Sequence, residues 1–404
     1  MVALSRFRHR DPTFSALLPY AALVDDGIML LKDGSLLAAW YFAGPDSESA
    51  TDYERNDVSR QVNEILARLG TGWMIQVEAI RVPATSYPAP AESHFPDRIS
   101  RAIDEERRRH FEKGEGHFES QHAIILTYKV QEERKSKLVK YLYADEESRS
   151  ERFADRTLAF FKTSIREFEQ YMANVVSLRR MKAQDGEMIN GRPARYDDLL
   201  QFIRFCMIGE SHPVRLPDIP MYLDSILSAE FQHAVSPRIE NRFIQVVAID
   251  GFPAASWPGI LNALDLMSLS YRWSTRFIFM DPHDARTKLE RTRKKWLQKV
   301  RPFTDQIFKT HSGTIDQDAL AMVDETEDAI AQANSQLVLF GTYTPVIVLF
   351  DTDAGRGREK AELVRRLIQN EGFGARIENL NTTDAYLGSL PGNWYSNVRE
   401  PKMS

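Results

Sequence analysis

A chain of 404 residues is longer than one hydrophobic core sustains, since cores stop growing at roughly 250–300 residues, so two units are expected. The apolar share of 43% and charged share of 27% exclude wholesale disorder, and a formal net charge of −5 excludes a global basic field for nucleic acid or anionic membranes. The single cysteine, Cys206, excludes an intramolecular disulfide or cysteine zinc cage.

Cys206 lies in the apolar run Phe202–Ile208 and reads as a small core residue. No stretch approaches the ~18–20 apolar residues that span a bilayer, and Met1–Arg10 leads into no apolar run of signal type. A reducing, cytoplasmic location is the expectation.

Ile28–Phe42 carries Asp33-Gly34 between two apolar arms, a hairpin signal, because that dipeptide takes the positive backbone angles of a tight turn. Thr51-Asp52-Tyr53-Glu54 has the form of a capping box and predicts a helix running to about Leu69, with Val58, Val62, Ile65, Leu66 and Leu69 on one face. A strand at Trp73–Val82, a charged helix near Asp97–Lys113, a strand at Gln121–Val130, a helix at Glu151–Met172 and a short strand from Val175 follow. Met181–Arg195, with Asp185-Gly186, Asn190-Gly191 and Pro193, reads as a linker, which places one subdomain at 1–185 and a second at 195–404.

The second half predicts helices at Tyr196–Ile208 and Met221–His233 and a strand at Phe243–Asp250. A helix opened by Ser256 comes next, with Ile260, Leu261, Leu264 and Met267 as its stripe. A strand at Arg276–Met280, a pair of helices over about 283–336, a strand at Pro345–Phe350, a helix through Leu363–Ile368 and a strand at Ala375–Glu378 complete it. Without the inserted pair, both halves read strand-helix-strand twice. The expectation is an α+β protein of two α/β sandwiches with the split βαβ order of ferredoxin-like folds, the second carrying a helical hairpin.

Arg286–Arg301 holds eight Lys or Arg against one Glu. It could grip phosphates, with Trp296 stacking on a base. The stronger reading is an amphipathic helix whose charges answer the acidic helix after it, with Asp316, Asp318, Asp324, Glu325, Glu327 and Asp328, in an antiparallel hairpin. No G-x-x-x-x-G-K-[ST], H-E-x-x-H or G-x-S-x-G pattern occurs, and Gly355-Arg356-Gly357-Arg358 reads as a loop before a helix. His117 and His122 enter a strand, which turns neighbours to opposite faces and disfavours a shared metal. Asp104–Arg109 reads as a solvated helix face.

Several short stretches, in order, carry a resemblance: Tyr20–Val24, the Lys32-Asp33-Gly34 hairpin, Phe42–Asp46, Leu66–Trp73, Glu105–Arg107, His117–Ser120, Tyr271–Phe277, Gly341–Tyr343 and Leu387–Asn393. They resemble the amino-terminal region of the TrbE family, the VirB-type ATPases of conjugative type IV secretion systems. The resemblance covers essentially the whole chain. It implies a docking and assembly region that attaches a motor to the inner-membrane secretion channel, peripheral to that membrane and inactive by itself.

Inner-membrane and channel components are the implied partners, with self-association beside them and nucleic acid disfavoured. In the family a motor domain with the phosphate loop follows the LPGN-type turn, so ATP and Mg are expected only there, and no catalytic, cofactor or metal residue is assigned to this chain. Leu390, Pro391, Gly392, Asn393, Trp394 and Tyr395 are then the interdomain junction, expected to expose apolar or turn-rich surface. Two alternatives stand: a portion of an intact ATP-hydrolysing enzyme, and a nucleic-acid module built on the basic helix 286–301.

Overall fold

The computed structural model describes residues 13–45, 49–84, 87–112, 117–129, 146–189, 192–217, 221–253, 255–300, 317–335 and 339–398. The first half contains α1 (Phe14–Leu17), β1 (Tyr20–Asp25), β2 (Ile28–Leu31), β3 (Leu36–Ala43), α2 (Asp52–Leu66), β4 (Trp73–Pro83), α3 (Arg98–Glu112), β5 (Phe118–Tyr128), α4 (Glu146–Met172) and β6 (Ser177–Arg180). Next come β7 (Ala183–Ile189), β8 (Arg192–Asp197), α5 (Asp198–Ile208), α6 (Leu223–Leu227), β9 (Phe231–Gln232), β10 (Arg238–Ile239), β11 (Arg242–Gly251) and β12 (Tyr271–Phe279). The remainder is α7 (Pro282–Val300), α8 (Gln317–Ser335), β13 (Gly341–Asp351), α9 (Ala354–Asn370), β14 (Gly374–Ile377) and α10 (Thr382–Gly388).

The local signals act as chemistry dictates. Gly34 turns the β2–β3 hairpin at φ +85°. The Thr51 hydroxyl accepts from the Glu54 N–H while the Glu54 carboxylate accepts from the Thr51 N–H, so two otherwise orphan donors at the start of α2 are satisfied.

Among the described residues twelve strands form one antiparallel sheet in the order β1-β2-β3-β5-β4-β12-β13-β11-β10-β9, with β6 on β3 and β14 on β11. Within it, β6-β3-β5-β4 and β14-β11-β13-β12 are the same arrangement, the split βαβ order, so the α+β expectation holds. The two units meet through their corresponding strands: β4 pairs β12 from Tyr271↔Arg81 to Ile278↔Met74. The sheet is therefore continuous across the middle of the chain.

Side chains alternate between the faces. On one face Trp40, Trp73 and Leu126 pack with Ile65 of α2 and Phe161 of α4, and Val247 and Ile347 pack with Val364 and Ile368 of α9. The opposite face carries one core across both units, in which Leu37, Ile125, Ile244 and Val348 meet Phe202, Ile203 and Met207 of α5 and Tyr386 of α10. Cys206 is buried in this core, and burial pushes its thiol well up.

Four expectations change. Met181–Arg195 is not an irregular connection, because β7 and β8 pair from Ala183↔Asp197 to Ile189↔Arg192, although Asn190 and Gly191 at its tip lie outside the described residues. The helix expected from Ser256 is a short 3-10 turn at Asn262–Leu266, because Pro258 and then Gly259 at φ +87° break the path into it; its apolar stripe still packs in the cluster of Val247, Ile347 and α9. Met221–His233 yields only α6 before Phe231-Gln232 pairs with β10. Gly355–Arg358 forms the first turn of α9, capped by the Asp353 carboxylate accepting from the Arg356 N–H.

The helical hairpin lies between β12 and β13 as expected. Ala285, Leu289 and Val323 are buried in it, and Arg293 reaches from α7 to Glu327 of α8 at 3.2 Å. Arg291, Lys294 and Lys295 on α7, and Asp324, Glu325 and Asp328 on α8, are exposed rather than turned toward each other. Arg301 and Asp316 lie outside the described residues.

Asp351 ties the end of β13 to α9, accepting from Lys360 at 2.7 Å, from the Asp353 N–H at 2.9 Å and from Arg356 at 2.9 Å. Burial pushes its carboxyl up, but these three donors outweigh burial and hold it at about 2. Its contribution is thus fully present above the unfolded value of about 4 and is lost as pH falls toward 2. Asp351→Asn is expected to cost about 1–2 kcal/mol at neutral pH, discounted for the exposed Lys360 and Arg356. Thermal melts should show the gap to wild type closing between about pH 4 and pH 2; a gap that does not change with pH overturns the assignment.

Candidate functional site

The seam between the two units carries polar residues where a doubly covered strand calls for apolar ones. Gln76 and Glu78 on β4, and Arg272, Ser274 and Arg276 on β12, all project to the face shared by both units, and all are buried. Arg272 donates to Glu78 at 3.0 Å, and the Ser274 hydroxyl donates to the same carboxylate at 2.6 Å. A bare ion pair at this depth would be costly, so the remaining donors need acceptors.

The chain from α10 to Asn397 supplies most of them, leaving the Nε of Arg272 and of Arg276 without an acceptor. Arg272 donates to the Ser389 carbonyl at 3.0 Å and to its hydroxyl oxygen at 2.6 Å. Arg276 donates to four backbone carbonyls, those of Gly388, Asn393, Ser396 and Asn397, at 2.8, 2.8, 2.9 and 2.8 Å. The Gln76 amide works both ways, donating to the Leu390 carbonyl at 3.2 Å and accepting from the Gly392 N–H at 2.7 Å. From the far end of the first unit, the Tyr20 hydroxyl donates to the Pro391 carbonyl at 3.0 Å.

The turn is shaped to be held. Gly392 has φ +80°, and a Cβ there would stand 2.7 Å from Leu37 Cδ1 and 2.9 Å from Leu31 Cδ1. The Asn393 side-chain oxygen accepts from the N–H groups of Tyr395 and Ser396, and Asp384 accepts from the Asn397 N–H. The segment therefore closes on itself as well as on the sheet.

Electrostatics follow from burial. Desolvation pushes the Glu78 carboxyl up, against the pull of Arg272 and Ser274. Desolvation also lowers Arg276, to about 10, with Asp384 opposing. Arg276 is still charged at neutral pH, and that charge rests on oriented carbonyl dipoles. The arrangement can grip a backbone.

This corrects the expectation for the junction. Leu390, Pro391, Gly392 and Asn393 are buried rather than exposed, and Trp394 is half-buried. Tyr395 is the exposed residue of the six, at 65% exposure, and its hydroxyl still donates to Asp33 at 2.9 Å and accepts from Lys129 at 2.7 Å. Sequence reasoning misses the gripping residues as a group. Their signal is the every-second-residue polar run Arg272, Ser274, Arg276 inside an otherwise apolar strand.

Other singled-out residues lie elsewhere. His117 stacks on Phe111, and His122 lies against Phe42, with burial lowering its imidazole pKa. Asp104 and Arg108 are not solvated: they are buried together at 3.0 Å beneath Ser93 and Tyr87.

A model of the CagE, TrbE, VirB family, component of type IV transporter system, matches residues 187–399. A model of the N-terminal domain of type IV secretion system ATPase VirB4/TrbE matches residues 27–136. The chain is 65% identical over 405 residues to conjugal transfer protein TrbE of Rhizobium radiobacter, covering 100% of this chain and 49% of that protein. It is also similar to two Sinorhizobium fredii proteins, named as the two portions of a probable conjugal transfer protein TrbE. The second portion is 67% identical over 61% of this chain and 38% of that protein, and the first is 65% identical over 34% of this chain and 91% of that protein. The chain thus spans about half the length of the Rhizobium radiobacter relative that it matches end to end.

Arg276→Ala leaves four carbonyls without their charged donor and is expected to destabilise the fold by about 3–5 kcal/mol, as for other broken buried charge networks. Arg276→Lys, with three donors on one atom, should recover only a fraction of this. Denaturant melts give the loss, and hydrogen exchange should show Gly388–Asn397 opening first. A loss below about 1 kcal/mol with unchanged protection there overturns the clamp.

Proposed function

The chain belongs to the CagE, TrbE, VirB family of type IV transporter components, and from that premise we propose that it is the docking and assembly region of a conjugal-transfer ATPase. In this reading it attaches the motor to the inner-membrane channel of a type IV secretion system. The nucleotide-handling residues belong to the half of the relative that this chain does not span. Leu390–Tyr395 is the junction through which the motor is held.

The observation that carries the reading is the clamp. A segment gripped by residues of both units has a fixed position and direction relative to the whole sheet. Whatever is joined beyond it inherits that orientation, which is what a mounting platform has to provide. Among the described residues no helix is long and apolar enough to cross a membrane, so attachment is proposed to run through separate inner-membrane partners.

The experiment is co-sedimentation of the chain with vesicles that carry the inner-membrane proteins of the same transfer system, against bare vesicles of the same lipid. Retention on the first alone is expected; equal retention on both, or on neither, overturns docking through a protein partner. Calorimetry with Mg-ATP tests the division of labour, with no specific heat expected from this chain. A micromolar dissociation constant would show that this half itself handles nucleotide.

A further inference from the structure

The α7–α8 hairpin has a polarity that its own packing leaves unused. The two helices pack chiefly on each other, with Ala285, Leu289 and Val323 buried, and the Arg293–Glu327 pair sets their register. Given that register, Arg291, Lys294 and Lys295 stand level with Asp324, Glu325 and Asp328. Positions three and four apart share a helix face, so each set forms a patch, and all six residues are exposed.

The patches cannot neutralise each other. Interaxial spacing of 8–10 Å plus helix radii puts the two outer faces about 20 Å apart, beyond two Debye lengths of ~8 Å at physiological salt. The hairpin is a slab with one basic and one acidic side at equal height. Near the tip, Leu297 on α7 and Leu320 on α8 are each partly exposed and can add apolar contact.

We propose that this hairpin is a head-to-tail contact between copies of this chain, the basic face of α7 on one copy seating against the acidic face of α8 on the next. Three cations and three carboxylates at matching height are complementary when one copy is set beside another. The patch that binds differs from the patch that is bound, so the contact is heterologous and builds a ring or an open row rather than a two-fold dimer. A polyanion would use only the basic side and leave the acidic one unanswered, whereas a second copy answers both. The contact is independent of the docking reading above, since it uses no clamp residue and no membrane partner.

The test exchanges charges. One variant of the full chain carries Arg291→Glu, Lys294→Glu and Lys295→Glu, and the other carries Asp324→Lys, Glu325→Lys and Asp328→Lys. Sedimentation velocity at low ionic strength should show wild type associating, and each variant alone weakened by about tenfold or more, the sum for three exposed pairs. An equimolar mixture should regain association, because each reversed face then meets its complement. High salt should dissolve the wild-type complex.

Wild type that stays monomeric at low salt, variants that associate as wild type does, or a mixture that stays apart each overturns the proposal. Loss of DNA binding in the first variant with self-association unmoved reassigns the basic face to nucleic acid. Circular dichroism checks the fold. The milder Lys294→Glu and Asp328→Lys pair, mixed in the same way, should give the same ordering at smaller amplitude.

Discussion

Arg276 lies beneath four backbone carbonyls that would otherwise be buried without a donor, and the carbonyls in turn are what allow a guanidinium to exist at that depth. Neither side is tolerable alone, because an unsatisfied buried carbonyl costs about 1–3 kcal/mol and an unpaired buried charge costs more. The pairing therefore dictates where Gly388–Asn397 runs. It also keeps the β4–β12 seam polar on one face, where Glu78 and Arg272 sit beside Ser274 and Gln76. The remaining geometry follows: Gly392 fits only because no Cβ is present, and Tyr20 reaches Pro391 because the segment lies flat across both units.

The same logic separates the two polar regions of the molecule. In the seam, charges are desolvated and every contact is directional, so losing one partner is severe. On the helical hairpin, charges stay in water, each worth little, and only their collective sign has consequence. One region specifies a unique internal arrangement; the other shapes how the surface meets something else.

What the sequence reveals depends on how local each constraint is. The Asp33-Gly34 turn and the Thr51–Glu54 cap involve neighbours, and they read correctly. The paired split βαβ order is legible because strand and helix periods repeat in both halves. The Ser256 helix fails where Pro258 and Gly259 override an apolar stripe that looks helical yet serves a 3-10 turn equally well. The LPGN turn reads as surface because proline, glycine and asparagine are loop residues. Its burial is set by Gln76, 314 positions away from Leu390, and by Arg276, 117 away from Asn393. No window of sequence contains both partners.

The β4–β12 pairing also decides what each unit does with its sheet edge. Left unpaired, β4 would present an 11-residue rim of backbone donors and acceptors, with Trp73, Ile75 and Val77 on one side and no proline before Pro83. β12 would present a similar rim of 9 residues. Natural proteins guard such rims with short strands, bulges, prolines or inward charges, because a bare rim templates addition of further strands. Here each unit's rim is closed by the other, in register along eight residue pairs. The two halves act as mutual guards against aggregation, and separating them would bare two self-templating rims that the pairing keeps closed.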